Sequence, residues 1–130
     1  MEKRELVIIG AGPAGLAAAV YGRRAGLDTL ILEKGIPGGQ INITDEIENW
    51  PGTIHSTGSE LGETFRKHAE HFKAEFRDCT VQKIDLRDGG KFVVTDKGEI
   101  EAEAIILATG ASFRKLGCPG EAEFTGAGVS

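Results

Sequence analysis

Cysteine is scarce in this chain. Cys79 and Cys118 are the only two, 39 residues apart. That distance makes neither a Cys-x-x-Cys redox pair nor a close metal-ligand pair, and both read as structural thiols. Long apolar runs are missing too. Nothing approaches the ~18 residues of a membrane-spanning helix. The apolar run behind Met1-Glu2-Lys3-Arg4-Glu5 is too short for a signal peptide. These absences point to a cytoplasmic protein with no membrane partner. There is no basic stripe, and the formal net charge is -5, which argues against nucleic acid as a partner. Arg23-Arg24 is the only adjacent arginine pair and reads as an exposed helix face. His55, His68 and His71 have no visibly paired cysteine or serine. No nucleophile triad or metal cluster emerges, so the sequence assigns neither a catalytic residue nor a metal. No internal repeat is present. The 19 glycines fall in clusters without a fixed period, which excludes collagen-like or low-complexity chains.

What is present suits one domain with a modest core: 130 residues, 40% of them hydrophobic. The continuous apolar run 6–9 reads as a buried parallel strand. The loop Gly10-Ala11-Gly12-Pro13-Ala14-Gly15 follows it. Pro13 suits the first position of a helix, which runs to about Ala25 and stops at Gly26. A second apolar run, 29–32, ends at Glu33. Strand, turn, helix and strand together fit one βαβ unit. Residues 35–58 carry little periodicity and read as a long functional loop. Thr57 and Glu60 have capping-box spacing. Leu61, Phe65, Ala69, Phe72 and Phe76 recur at helical spacing and predict one apolar helix face. Trp50 reads as a packing anchor beneath the loop. Residues 79–86, 91–96 and 99–102 predict short antiparallel strands, with Cys79 at the start of the first. A buried strand follows at 104–108. From Ala111 the periodicity fades into a glycine-rich connector.

The glycine loop has a mechanical reading. Gly10 allows the sharp turn out of the strand. Gly12 lets backbone approach a pyrophosphate. Gly15 lets the helix pack closely on the strand. The helix N-terminus then offers unpaired N–H groups and partial positive charge to phosphates. Its place between a strand and a helix is the context that gives the motif weight. Glu33, with Lys34 beside it, stands where a carboxylate accepts hydrogen bonds from both ribose hydroxyls of an adenosine and repels a 2′-phosphate. Taken alone, these features support FAD and NAD equally.

Four stretches carry a resemblance. They are Gly10-Ala11-Gly12-Pro13-Ala14-Gly15 with Ala19-Val20-Tyr21, then Gly38-Gly39-Gln40, then Glu48-Asn49-Trp50-Pro51-Gly52, then Ala108-Thr109-Gly110-Ala111-Ser112. In this order the chain resembles the first half of the low-molecular-weight thioredoxin reductases, within the pyridine nucleotide-disulfide oxidoreductases. The resemblance covers nearly the whole chain and implies FAD as the ligand. It implies that Gln40 and Asn49 approach the flavin and ribityl portions, with Gly38 and Gly39 leaving room. It further implies that Val81 presents its backbone to the adenine, and that Ala108, Thr109 and Gly110 close over the cofactor. Neutral amides at Gln40 and Asn49 suit a flavin, whose carbonyls accept and whose N3–H donates.

The implied fold is α/β: a three-layer FAD/NAD(P)-binding, Rossmann-like arrangement. Its parallel sheet contains strands 6–9, 29–32 and 104–108, and a small antiparallel β-meander crosses over near the third. Residues 1–112 are expected to form the first segment of the FAD-binding domain. Residues 113–130 are expected to be a connector toward a missing NADPH domain. In the family that domain carries the redox-active Cys-x-x-Cys, and a closing FAD segment follows near the C-terminus. The chain therefore looks truncated, and it is expected alone to lack NADPH-driven disulfide reduction. The parent would pass electrons from NADPH through FAD to a cysteine pair and thioredoxin or a related disulfide protein, as a possible homodimer. Two alternatives stay open: part of a thioredoxin-reductase-like ferredoxin–NADP reductase, or a stand-alone nucleotide-binding module without catalysis.

Overall fold

The first strand begins earlier than its apolar run. A computed structural model describes residues 1–129, so Ser130, the last residue of the expected connector, lies outside the described residues. Strand β1 spans Glu2–Ile9, with its charged first half as extended as its buried second half. The charges are tolerated because neighbours neutralise them. Arg4 pairs with Glu2, Asp28 and Glu75, Arg77 pairs with Glu2, and Lys3 pairs with Glu101 across the sheet. Helix α1 spans Pro13–Arg24 with proline in its first turn, as expected. It ends as predicted: Gly26, at φ 84, donates its N–H to the Arg23 carbonyl. Strand β2, Thr29–Glu33, is almost wholly buried up to Glu33.

The capping box is present. Thr57 Oγ1 accepts from the Glu60 N–H at 3.2 Å, and Glu60 Oε2 accepts from the Thr57 N–H at 3.0 Å. Helix α2 follows at Gly58–His71. Leu61 and Ala69 are buried, and Phe65 and Phe72 pack against the same core. Phe76 corrects the sequence reading. It does not continue the helix but lies in strand β3, Glu75–Asp78, which pairs in parallel with β2. The chain leaves the helix at Lys73, whose φ of 62 costs a non-glycine residue roughly 1 kcal/mol. Phe76 still reaches the helix-side core, from a strand. Arg23 also differs from the expected exposed face. It is half-buried and donates to the Phe72 and Leu27 carbonyls at 3.1 and 2.9 Å, clamping the exit of α2 to that of α1. Arg24 is exposed.

Strands β4 (Val81–Arg87), β5 (Gly90–Thr95) and β6 (Gly98–Leu107) form the antiparallel meander. Cys79 is buried just before β4 rather than within it. The two expected strands 99–102 and 104–108 are one. β6 pairs with β5 through Ala102 and with β1 from Ile100 to Leu107, so it belongs to both halves of the sheet. The order is β3-β2-β1-β6-β5-β4, with β3, β2, β1 and β6 parallel. Helices α1 and α2 cover one face through Leu6, Ile8 and Ile31. On the other face Val93, Ile100 and Ala102 pack with Val7, Ile9, Leu30 and Leu32. Helices, parallel sheet and meander are the three expected layers. Beyond β6 the chain is largely exposed, with one short helix, α3, at Glu121–Phe124. Among the described residues no helix is long and apolar enough to cross a membrane.

Candidate functional site: a groove at the carboxyl ends of the strands

Parallel pairing brings the carboxyl ends of β1, β2 and β6 to one edge of the sheet. Ile9 lies opposite both Leu32 and Leu107. The chain leaves β1 toward β2 on one side, while β6 lies on the other. The edge between β1 and β6 is therefore a switch point, where open α/β sheets bind ligands. A groove of ≈ 500 Å³ opens there. Gly10, Gly12, Pro13 and Ala14 line it from the glycine loop, and Glu33 and Lys34 from the end of β2. Gly39 and Gln40 contribute from the following loop, Val81 from the start of β4, and Ala108, Thr109 and Gly110 from beyond β6. Twelve of the residues singled out in the sequence thus converge on one surface. Gly15 and Gly38 are buried behind it. Asn49 is exposed and is not among the lining residues.

The glycines of the loop are required for different reasons. A Cβ at Gly10 would fall 2.2 Å from the Ala108 carbonyl oxygen, and its φ is 105. A Cβ at Gly15 would fall 1.9 Å from the Gly10 carbonyl oxygen, so α1 sits against the loop's own backbone. Gly12 differs. Its φ is -75, and a Cβ there would meet nothing closer than the Gly39 Cα at 3.8 Å. Neither backbone conformation nor packing demands glycine at that position. What a side chain would fill is the groove. Behind it, α1 begins with no side-chain cap and no acid in its first turn. The first helical bond runs from the Leu16 N–H to the Gly12 carbonyl, so the Ala14 and Gly15 N–H groups precede it without an intrahelical partner. Bare donors at a helix start form an anion site.

Glu33 sits half-buried at the end of β2. Its Oε2 accepts from the Ala11 N–H at 2.8 Å and its Oε1 from the Lys34 N–H at 2.9 Å. The carboxylate therefore ties the glycine loop to β2, while each oxygen keeps a lone pair for a further donor. A vicinal diol fits that pair of acceptors, and a phosphate does not. The opposite rim is closed by Gln40, whose Nε2 donates to the Ala111 carbonyl. Trp50 packs edge-on against Phe65 of α2 at 5.1 Å but stays exposed, so it braces the loop from its surface rather than from beneath, where the sequence reading puts it.

Five lining residues lie outside the site expected from the sequence: Ile9 and Leu32 at the strand ends, and Cys79, Thr80 and Ala111. Cys79 and Thr80 face the groove between β3 and β4. Burial pushes the Cys79 thiol above its ordinary value. Ala111 joins through its carbonyl. Cys79 and Thr80 carry no motif, and Ala111 belongs to the 108–112 stretch without a role assigned to it; their positions follow from β2–β3 pairing and from the length of β6. Asn42 also went unnoticed, on a 3-10 turn at Gly39–Ile43. The available signal was Gly62, a glycine inside a helix, which costs about 1 kcal/mol against alanine and so advertises a close neighbour.

Comparison with known proteins agrees with this geometry. Residues 4–130 match the family model described as pyridine nucleotide-disulphide oxidoreductase. Thioredoxin reductase of Bacillus subtilis (strain 168) is 45% identical over 128 residues, covering 97% of this chain and 40% of that protein. Thioredoxin reductase of Peptoclostridium litorale is 48% identical over 127 residues, with the same two coverages of 97% and 40%. A crystal structure of Lactococcus lactis thioredoxin reductase matches with a TM-score of 0.88 at 43% identity, over 93% of this chain and 40% of that one. The chain thus spans about 40% of the length of the curated relatives it matches. Sequence, fold and groove lead to one assignment: the chain belongs to the pyridine nucleotide-disulphide oxidoreductase family.

Proposed function

We propose that the groove binds FAD and that the chain is the FAD-binding portion of a flavoprotein disulfide reductase of the thioredoxin reductase type. Gly12 carries the reading: it is a glycine that the fold itself does not need, in front of an uncapped helix start, with a diol-reading carboxylate in the same groove. The Ala14 and Gly15 N–H groups, beside Gly10, Gly12 and Pro13, take the pyrophosphate. Glu33 accepts from the adenosine ribose, with Lys34 alongside, and the backbone of Val81 faces the adenine. Gly39 and Gln40 adjoin the ribityl and flavin portions, Gly38 supports them from behind, and Ala108, Thr109 and Gly110 close over the cofactor. Asn49 is assigned to the flavin on the family pattern of residues 48–52 alone.

FAD, when bound, supplies a two-electron relay between a nicotinamide and a disulfide. In the whole protein NADPH is the donor, and a cysteine pair serving thioredoxin or a related disulfide protein is the acceptor, in a cytoplasmic homodimer. Residues 1–112 are the first segment of the FAD domain, and residues 113–130 lead out of it. No Cys-x-x-Cys occurs in these 130 residues. The purified chain should bind FAD saturably, with competition by ADP and none by NADP. It should not reduce a disulfide dye with NADPH. Absent FAD binding, or NADP bound as tightly as FAD, overturns the cofactor assignment. NADPH-driven dye reduction by this chain overturns the division of labour.

A further inference from the structure

We propose that Asn42 is a positioning residue that sets the turn carrying Gly39 and Gln40 against the glycine loop. The proposal deepens the FAD reading and rests on it for its ligand. Asn42 is half-buried, and its Nδ2 donates to the Pro37 carbonyl at 3.0 Å. Its amide fills a slot between two glycines. A Cβ at Gly38 would fall 2.2 Å from Asn42 Oδ1, and a Cβ at Gly62 would fall 2.4 Å from the same atom. The slot therefore exists because both walls lack side chains.

One turn earlier on α2, Gly58 makes the same kind of approach. A Cβ there would fall 1.7 Å from the Ile41 carbonyl oxygen, and the Gly58 N–H donates to the Thr44 carbonyl at 3.0 Å. Helix α2 is thus a backbone-close platform for the turn, and Asn42 is the side chain that registers the two. The connection continues toward the groove. The Gly38 N–H donates to the Ala11 carbonyl at 2.7 Å. Gly39 lies so near the loop that a Cβ on it would fall 2.9 Å from the Gly12 Cα. Gly39 and Gln40 sit between Gly38 and Asn42, so both flanks of the ligand-facing pair are fixed through one amide. Two helical glycines, each less favourable than alanine, fit a helix that must accept this turn.

The test uses Asn42→Ala, Gly62→Ala and the double variant in the full chain. Gly62→Ala should lower Tm when Asn42 is present, because the new methyl meets its amide. In the Asn42→Ala background the same change should be neutral or raise Tm, since the slot is empty and alanine favours helix. Amide exchange at Gly38 should quicken about tenfold in Asn42→Ala, the scale of one lost hydrogen bond. FAD affinity should fall about tenfold, while ADP, which lacks the flavin half, stays within about twofold. Asn42→Asp, which keeps the volume but removes the donation to Pro37, should weaken FAD the same way and serves if the alanine variant does not fold. Unchanged Gly38 exchange with an unchanged Gly62→Ala penalty overturns the proposal, as does an equal loss of ADP and FAD. If the wild-type chain binds no FAD, the cofactor reading falls, and the exchange and Tm cycle still decide the role of Asn42.

Discussion

The two ends of the parallel sheet are built on opposite plans. At the amino end, charge is dense and mutually satisfied. Glu2, Arg4, Asp28, Glu75 and Arg77 join β1, the residue before β2, and β3 in one network of contacts at 2.6–3.0 Å. At the carboxyl end, charge is sparser, with Glu33, Lys34 and Asp78, and the chain shows glycine and bare backbone between them. Glu33 is the one acid there from the glycine loop or β2. Charges that are numerous and paired serve the fold. Donors that are few and lack partners are available to a ligand. A cleft of ≈ 330 Å³ opens at the amino end too, but charges such as Arg4 with Asp28 and Lys3 with Glu101 are paired along it, so the contrast is between self-paired charge and unpaired backbone.

The sharpest way to break that contrast uses one chemical change at two positions. Gly10→Ala places a methyl against the Ala108 carbonyl at a positive φ. It should cost at least ~3 kcal/mol and lower Tm by roughly 10 °C or more. Gly12→Ala meets only ordinary contact. It should leave Tm within a few degrees and weaken FAD binding by at least about tenfold, read by flavin fluorescence titration. Equal effects on Tm would erase the distinction between a glycine the fold needs and one the ligand needs.

A smaller effect is expected at Glu33. Glu33→Gln keeps an acceptor for the Ala11 N–H but removes the charge. FAD affinity should fall by about tenfold, the scale of a hydrogen bond to a charged group, and rejection of NADP should relax. Competition assays with FAD, NAD and NADP measure both. An unaltered preference would remove Glu33 from the ribose site.

The mildest test acts on the amino end. The hydrogen bond from Arg77 holds Glu2 at a pKa of about 2, against an ordinary value of 4.5, with further help from Arg4. A group lowered on folding stabilises above its unfolded pKa and loses that contribution as pH falls through the folded one. Tm should therefore drop as pH falls from about 4.5 toward 2, and Glu2→Gln should flatten part of that drop. Glu63, lowered to about 2 by its hydrogen bond with Arg66, acts in the same window. Glu2→Gln should leave FAD binding unchanged, which keeps the two ends separable.

Much of the groove was legible because its parts are local. The glycine loop, Pro13, Gly26 and the Thr57–Glu60 box each announce themselves within a few residues, and each stands where expected. What stayed hidden depends on distant partners. Phe76 satisfies helical spacing from Phe72, and Lys73 carries no mark of a left-handed turn. The charged start of β1 becomes strand only because Glu101, Asp28, Glu75 and Arg77 wait on its neighbours. The unity of β6 follows from pairing with β1 on one side and β5 on the other, not from its own pattern. Asn42 reads as an ordinary loop amide until Gly62, twenty positions on, is seen to make room for it. The groove's composition was therefore clearer than its support.

Glu33 has one more consequence. Its two carboxylate oxygens are held by the chain's own Ala11 and Lys34 amides. Freezing a free glutamate side chain costs up to about 2 kcal/mol of rotamer entropy, and folding has already met that cost. A ribose arriving at the groove finds its acceptors aimed, so recognition at the adenosine end requires no local reordering. The cofactor would thus dock adenosine first on a preorganised anchor, leaving later adjustment to the turn around Gln40.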